Sequence, residues 1–152
     1  MTDAREDSGK RPGQGKAARD LNAVIRYTMF SAFAVAAPLP RDRGVLADEL
    51  QSLQEQWAAK DVVVRGWYDI AGMRAEADVL LWTHGPSLDA LQSAYHDVRT
   101  SGLGRHLKPF WSNVGLHQPA EFNKSHVPAF LAGERARAYL CLYPFVRSFE
   151  WY

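Results

Sequence analysis

Cysteine is nearly absent from this chain, with Cys141 the only one in 152 residues. A lone thiol closes no internal disulfide, and five scattered histidines beside it do not make a thiolate metal cage. A reducing compartment fits such a chain, and a cytoplasmic protein is the expectation. Excess charge of one sign is missing too: 18 Lys and Arg stand against 17 Asp and Glu, for a formal charge of +1. No overall field therefore draws in nucleic acid or an anionic membrane. The longest apolar run, 30–39, contains Ser31 and ends at Pro38 and Leu39, far short of the roughly 20 residues a membrane span needs. Gly102 and Gly104 lack the Lys-Ser/Thr that completes a phosphate loop. His84, His96, His106 and His117 have no carboxylate or second histidine at ligand spacing.

What is present is a 47% hydrophobic chain, enough for one domain with a sizeable core. Residues 1–20 carry charge, glycine and small side chains, and a mobile, disordered N-terminal arm is expected there. Over 21–35, Val24, Ile25, Tyr27, Thr28, Phe30 and Phe33 fill both alternation classes, as in a strand covered on both faces, and Pro38 and Pro40 end it. Leu46, Leu50, Leu53 and Trp57 recur at helical steps within 45–60. A second strand is expected over 61–70, a turn at Gly72, Arg74 and Glu76, and a third strand over 77–84. Leu88, Leu91, Tyr95 and Val98 form another helical stripe behind Ser87, a suitable N-cap, and 110–116 reads as a fourth strand. Strand, helix, strand, strand, helix, strand is the order of an α+β, ferredoxin-like unit spanning 21–116. Residues 117–137, with Pro119, Pro128 and Gly133, read as a connecting segment. A new strand is expected to open at 138–149 and would lack a partner, so the chain is expected to be part of a longer protein.

A ferredoxin-like order hosts many activities, so function must come from particular residues. Tyr139, Cys141, Tyr143, Phe145 and Arg147 share one face if 138–149 is extended. A phenol beside a guanidinium can bind a carboxylate or yield a hydrogen, although an amphipathic tyrosine with an arginine at the exposed strand end is the cheaper reading of those residues alone. The segment 121–126 gathers Glu121, Asn123, Lys124, Ser125 and His126. There His126 can accept a proton near neutral pH and Lys124 can anchor an anion, against the plain alternative of a solvated loop. Trp67, Trp82, Trp111 and Trp151 either line an aromatic pocket for a planar ligand or pack in core and interface.

Four segments carry a further signal: LNAVIRYTMFS at 21–31, RGWYDIAGMRAEAD at 65–78, PAEFNKSHVPAF at 119–130 and YPFVRSFEWY at 143–152. In this order they resemble the actinobacterial coproheme decarboxylases of the chlorite dismutase-like superfamily, and the likeness covers nearly everything after residue 20. The resemblance implies a subunit of two ferredoxin-like halves forming a dimeric α+β barrel, assembled as a homopentamer. Residues 21–116 match the first half, 117–137 the connection and 138–152 the first strand of the porphyrin-binding half. It implies hydrogen peroxide-dependent decarboxylation of two propionates of Fe-coproporphyrin III (coproheme), which is both substrate and redox centre, to give haem b. Tyr143 matches the catalytic tyrosine and His126 the distal histidine. Arg147, Lys124 and Trp151 match porphyrin-pocket positions. The proximal histidine that ligates iron matches nothing in this portion and is expected in the other half. A transient contact with coproporphyrin ferrochelatase is also implied. Two alternatives stay open, a haem-binding or transport protein without turnover and a chlorite dismutase-like haem enzyme.

Overall fold

Strand alternation and helical periodicity combine here into a single four-stranded sheet with α-helices 44–58 and 88–100 on one face. The structure, a computed structural model, describes residues 14–119, 126–146 and 148. In chain order the elements are α1 (Gln14–Asn22), β1 (Tyr27–Val35), α2 (Gly44–Ala58), β2 (Val63–Asp69), β3 (Val79–Gly85), α3 (Leu88–Thr100), a short 3-10 turn (Gly104–His106) and β4 (Leu107–Leu116). The strands are ordered β2-β3-β1-β4 and every pairing is antiparallel. This is an α+β fold with the expected element order. β1 is covered on both faces, Phe33 against the helices and Ala32 with Phe30 on the other side, which is why its apolar residues occupy both alternation classes.

Period-two alternation sorts β1 and β3 cleanly. Phe33 and Leu81 point to the helices and join Trp57 of α2, Leu91, Ala94 and Val98 of α3, Val62 and Leu107 in the main core. Ala32 and Leu80, one residue away, point to the opposite face with Ala77. Trp57 is held by packing and by its indole N–H, which donates to Asp97 Oδ2 at 2.8 Å and ties α2 to α3. Ser87 caps α3 as expected, its hydroxyl accepting from Ala90 N at 3.1 Å. In the α3 stripe Leu88 proves half exposed at the first helical position, and Ala94 fills the contact instead. On the helix side, the gap bordered by Met29, Ser31, Thr83, Leu91 and Tyr95 has no space for a water.

Two expectations need correction at the edges of this unit. Residues 14–22 form α1 instead of continuing a mobile arm, and the first strand starts at Tyr27, not at Leu21. Local preference explains both: a run of helix formers ends at Asn22, and Ala18 and Asn22 are buried against the rest of the chain. Residues 1–13 lie outside the described residues. Residues 138–146 form no ladder among the described residues, because an extended segment becomes a strand only against a hydrogen-bonding neighbour. Side chains at 139–143 alternate nonetheless, Leu140 and Leu142 packing on the sheet face around Ala32 and Leu80.

Candidate functional site

Buried polar side chains need partners, and two of them organise the face of the sheet opposite α2 and α3. Arg26, just before β1, is 9% exposed and His84 of β3 is 5% exposed. Arg26 Nε donates to His84 Nδ1 at 3.0 Å. Its other guanidinium nitrogens donate to the Asp61 carboxylate and, at 2.9 Å, to the Asp61 carbonyl. Asp61 sits in the left-handed region at φ 60° beyond the end of α2, a conformation aspartate tolerates better than most residues. Arginine has only donors, so His84 Nδ1 must be unprotonated to accept. Burial, followed by the charges of Arg26 and Arg65, accordingly pushes the His84 pKa down to about 4, against a smaller opposing pull from Asp61. The hydrogen bond from Arg26 holds the Asp61 carboxyl below its ordinary value.

Next to this cluster, Trp82 of β3 stacks on Phe30 with centroids 5.5 Å apart and donates its indole N–H to Thr28 Oγ1 at 2.7 Å. The Arg65 guanidinium lies 5.3 Å above the Trp82 ring and donates to Glu134 O at 2.6 Å. Phe130 of the connecting segment enters the notch so formed. Its ring centroid lies 5.1 Å from His84, 6.0 Å from His117 and 6.4 Å from Trp82. The turn after Pro128 closes on itself through Leu131 N and Ala132 N, which both donate to Pro128 O. The connection is thereby laid across the sheet face by an aromatic plug and an arginine bond.

Against this frame the expected site residues fall as follows. His126 is exposed, and its carbonyl accepts from Asn22 Nδ2 at 2.9 Å. Tyr143 is 71% exposed and stacks with Phe145 at 6.2 Å. Tyr139 and Cys141 are exposed on the same alternation class, while Leu140 and Leu142 turn inward. Tyr139, Cys141 and Tyr143 are thus presented on the side away from the sheet. Arg147, Lys124 and Trp151 lie outside the described residues. The tryptophans do not share one pocket: Trp67 packs on the helix-side core, whereas Trp82 and Trp111 lie on the opposite face. Among the described residues no group of three or more metal-ligating side chains gathers, and no helix is long and apolar enough to cross a membrane.

The Arg26, Asp61 and His84 cluster was not singled out in the sequence. The available signal was the presence of Arg26 and His84 beside apolar strand runs, where a buried polar group demands a partner. Asn22 gave no such signal, because its partners are distant in sequence.

A family model described as chlorite dismutase matches residues 43–152. The coproheme decarboxylase of Mycolicibacterium smegmatis is 58% identical over 134 residues, which cover 87% of this chain and 58% of that protein. The chain therefore spans a little over half the length of that relative. Among solved structures, a mutant chlorite dismutase from Candidatus Nitrospira defluvii is 26% identical with a TM-score of 0.58, covering 64% of this chain and 42% of that one. The same organism's chlorite dismutase in complex with imidazole superposes with a TM-score of 0.59 at 23% identity, covering 70% of this chain and 46% of the other. That last likeness speaks to the fold alone.

Proposed function

Because the chain belongs to the chlorite dismutase family, we propose that it serves the hydrogen peroxide-dependent decarboxylation of coproheme to haem b, as the first part of a coproheme decarboxylase subunit. The observation that carries this reading is the alternation at 139–143. Leu140 and Leu142 bind the segment to the first sheet while the phenol of Tyr143 is presented on the other side. In the proposed subunit a second ferredoxin-like half closes over that side, completing an α+β barrel and enclosing the porphyrin, and subunits assemble as a homopentamer. The 58% identity to a coproheme decarboxylase favours this substrate over chlorite.

Each decarboxylation oxidises one propionate by two electrons. A hydrogen leaves the β-carbon, carbon dioxide leaves the chain end, a vinyl group remains, and hydrogen peroxide with one proton is reduced to two waters. The iron porphyrin, when bound, would relay the two oxidising equivalents of peroxide to the propionate. Tyr143 gives up its phenolic hydrogen and then takes one from the β-carbon, a role that requires the phenol near a propionate. His126, exposed on the connection, accepts a proton from peroxide and returns it to the departing oxygen, a task suited to an imidazole, whose two ring nitrogens can each take or give a proton. Arg147 holds a propionate by charge-assisted hydrogen bonds, with Lys124 as a second cation and Trp151 as a pocket wall.

The deciding experiment replaces Tyr143 with Phe in the protein carrying both halves and supplies coproheme and peroxide. The variant keeps ring shape and loses the abstractable hydrogen, so it should bind coproheme with unchanged affinity and release almost no haem b. Normal haem b formation would reject the role of Tyr143. Offering chlorite separately distinguishes the chlorite dismutase reading, and coproheme binding without peroxide-driven carbon dioxide release distinguishes a carrier.

A further inference from the structure

We propose that Asn22 is the positioning residue for His126, fixing the backbone from which the imidazole reaches the peroxide; the inference rests on the proton-handling role given to His126 above. Asn22 is the last residue of α1 and is 5% exposed, so both ends of its amide need partners. A backbone carbonyl can only accept. The contact at 2.9 Å to His126 O therefore fixes the amide orientation, with Nδ2 donating to that oxygen. Oδ1 then faces His117 Nε2 at 3.2 Å, which must carry hydrogen to donate. Burial keeps the His117 pKa below its ordinary value, so the ring is the neutral Nε2–H tautomer at neutral pH. His117 is itself anchored, its backbone N–H donating to Arg26 O at 2.8 Å.

The consequence for His126 follows from what else holds it. Its side chain is exposed, so packing does not set the ring's direction. Phe130, four residues on, is seated among Trp82, His84 and His117 and fixes the downstream part of the connection. The Asn22 amide fixes the carbonyl of His126 itself, across 104 residues of sequence. Two anchors four residues apart, the Asn22 amide at His126 and the seated ring of Phe130, define the path of the backbone between them. Supporting residues of this kind change a rate by roughly 10- to 100-fold when they orient a reacting group.

The test uses Asn22→Asp, which keeps the acceptor toward His117 but removes the amide donor, and Asn22→Ala, which removes both. In this chain the backbone order parameters of His126 and Val127 should be near 0.85 in the parent and fall below about 0.6 in both variants, with those of α3 unchanged. Values below about 0.6 in the parent, or no fall in either folded variant, would overturn the proposal, and the parent measurement stands even if a variant does not fold. In the coproheme-loaded protein with its second half, Asn22→Asp should slow the peroxide step about 10-fold at unchanged coproheme affinity. The same change made in a His126→Ala background should slow it no further. An equal loss in both backgrounds would mean that Asn22 acts on something other than His126, which also overturns the proposal. If His126→Ala alone leaves the peroxide step intact, the proton-handling role fails, and the order parameters still decide whether Asn22 positions His126.

Discussion

Replacing His84 with Asn should remove a specific part of the chain's acid sensitivity. In the folded protein His84 accepts from Arg26 Nε and sits under Phe130, with the Arg26 and Arg65 cations on it and Asp61 behind Arg26. Protonating Nδ1 would set an N–H against an N–H in a buried place, so the folded state resists the proton until about pH 4. The unfolded chain takes it up near the ordinary 6.5. Stability from this residue is therefore fully present above pH 6.5 and is lost as the pH falls from there toward 4, the range in which the unfolded state binds more protons. A gap from 6.5 to about 4 corresponds to on the order of 3 kcal/mol. Asp61, whose carboxyl is held below its ordinary value, stays ionised throughout that range and contributes only at lower pH. His117 loses stability in the same direction but is present in both proteins. The Oδ1 of an asparagine lies close to where Nδ1 lies, so the variant keeps an acceptor for Arg26 and cannot titrate. Losing the ring contact with Phe130 adds a penalty that does not vary with pH. Urea unfolding at intervals from pH 7 to pH 4 should show the parent losing about 2 to 3 kcal/mol more than the variant. Parallel profiles would refute the reasoning, since they would mean that His84 takes up its proton equally in both states.

Other changes test separate parts of the structure. His126→Ala, with coproheme and its second half present, should slow the peroxide step by about 100-fold while leaving coproheme affinity unchanged, read by stopped-flow absorption. Phe130→Ala empties the notch between Trp82, His84 and His117. It should cost about 1 to 2 kcal/mol for a half-buried ring and speed proteolytic nicking within 126–134. Gly104→Ala should cost about 3 kcal/mol or more by chemical denaturation, because the added Cβ would lie 2.0 Å from the Val98 carbonyl oxygen, a backbone atom that cannot step aside.

The parts of the fold that were legible are those in which burial repeats with the period of a single element. Leu91 and Val98 recur at helical spacing and are buried on α3. The unbroken apolar run Val79–Trp82 gave β3, whose Leu81 and Leu80 face opposite cores. The start of β1 was misplaced because Leu21, Val24 and Ile25 carry strand-like composition, yet all three are exposed, and helix preference held the chain up to Asn22. The segment 139–143 was legible in its side-chain alternation but not in its hydrogen bonding, since a ladder belongs to two segments at once.

The candidate site follows the same division. Tyr143 could be assigned a face from sequence because facing is a property of its own segment, and the burial of Leu140 and Leu142 agrees with that assignment. His126 could be picked out by its chemistry, but nothing in 121–126 announces what holds it. That support comes from an amide at the end of α1 and from a ring four residues downstream, pressed on two histidines and a tryptophan. Each of these contacts joins residues whose separation follows no period, and each is made by a side chain that looks ordinary in isolation: a weak helix former at a helix end, an aromatic in a proline-rich connection. Buried polar groups offer the one general route to them. An asparagine, an arginine and two histidines lying against one sheet face must be mutually satisfied or unfold the face that holds them, and solving that pairing problem brings the connecting segment, and His126 with it, onto the sheet.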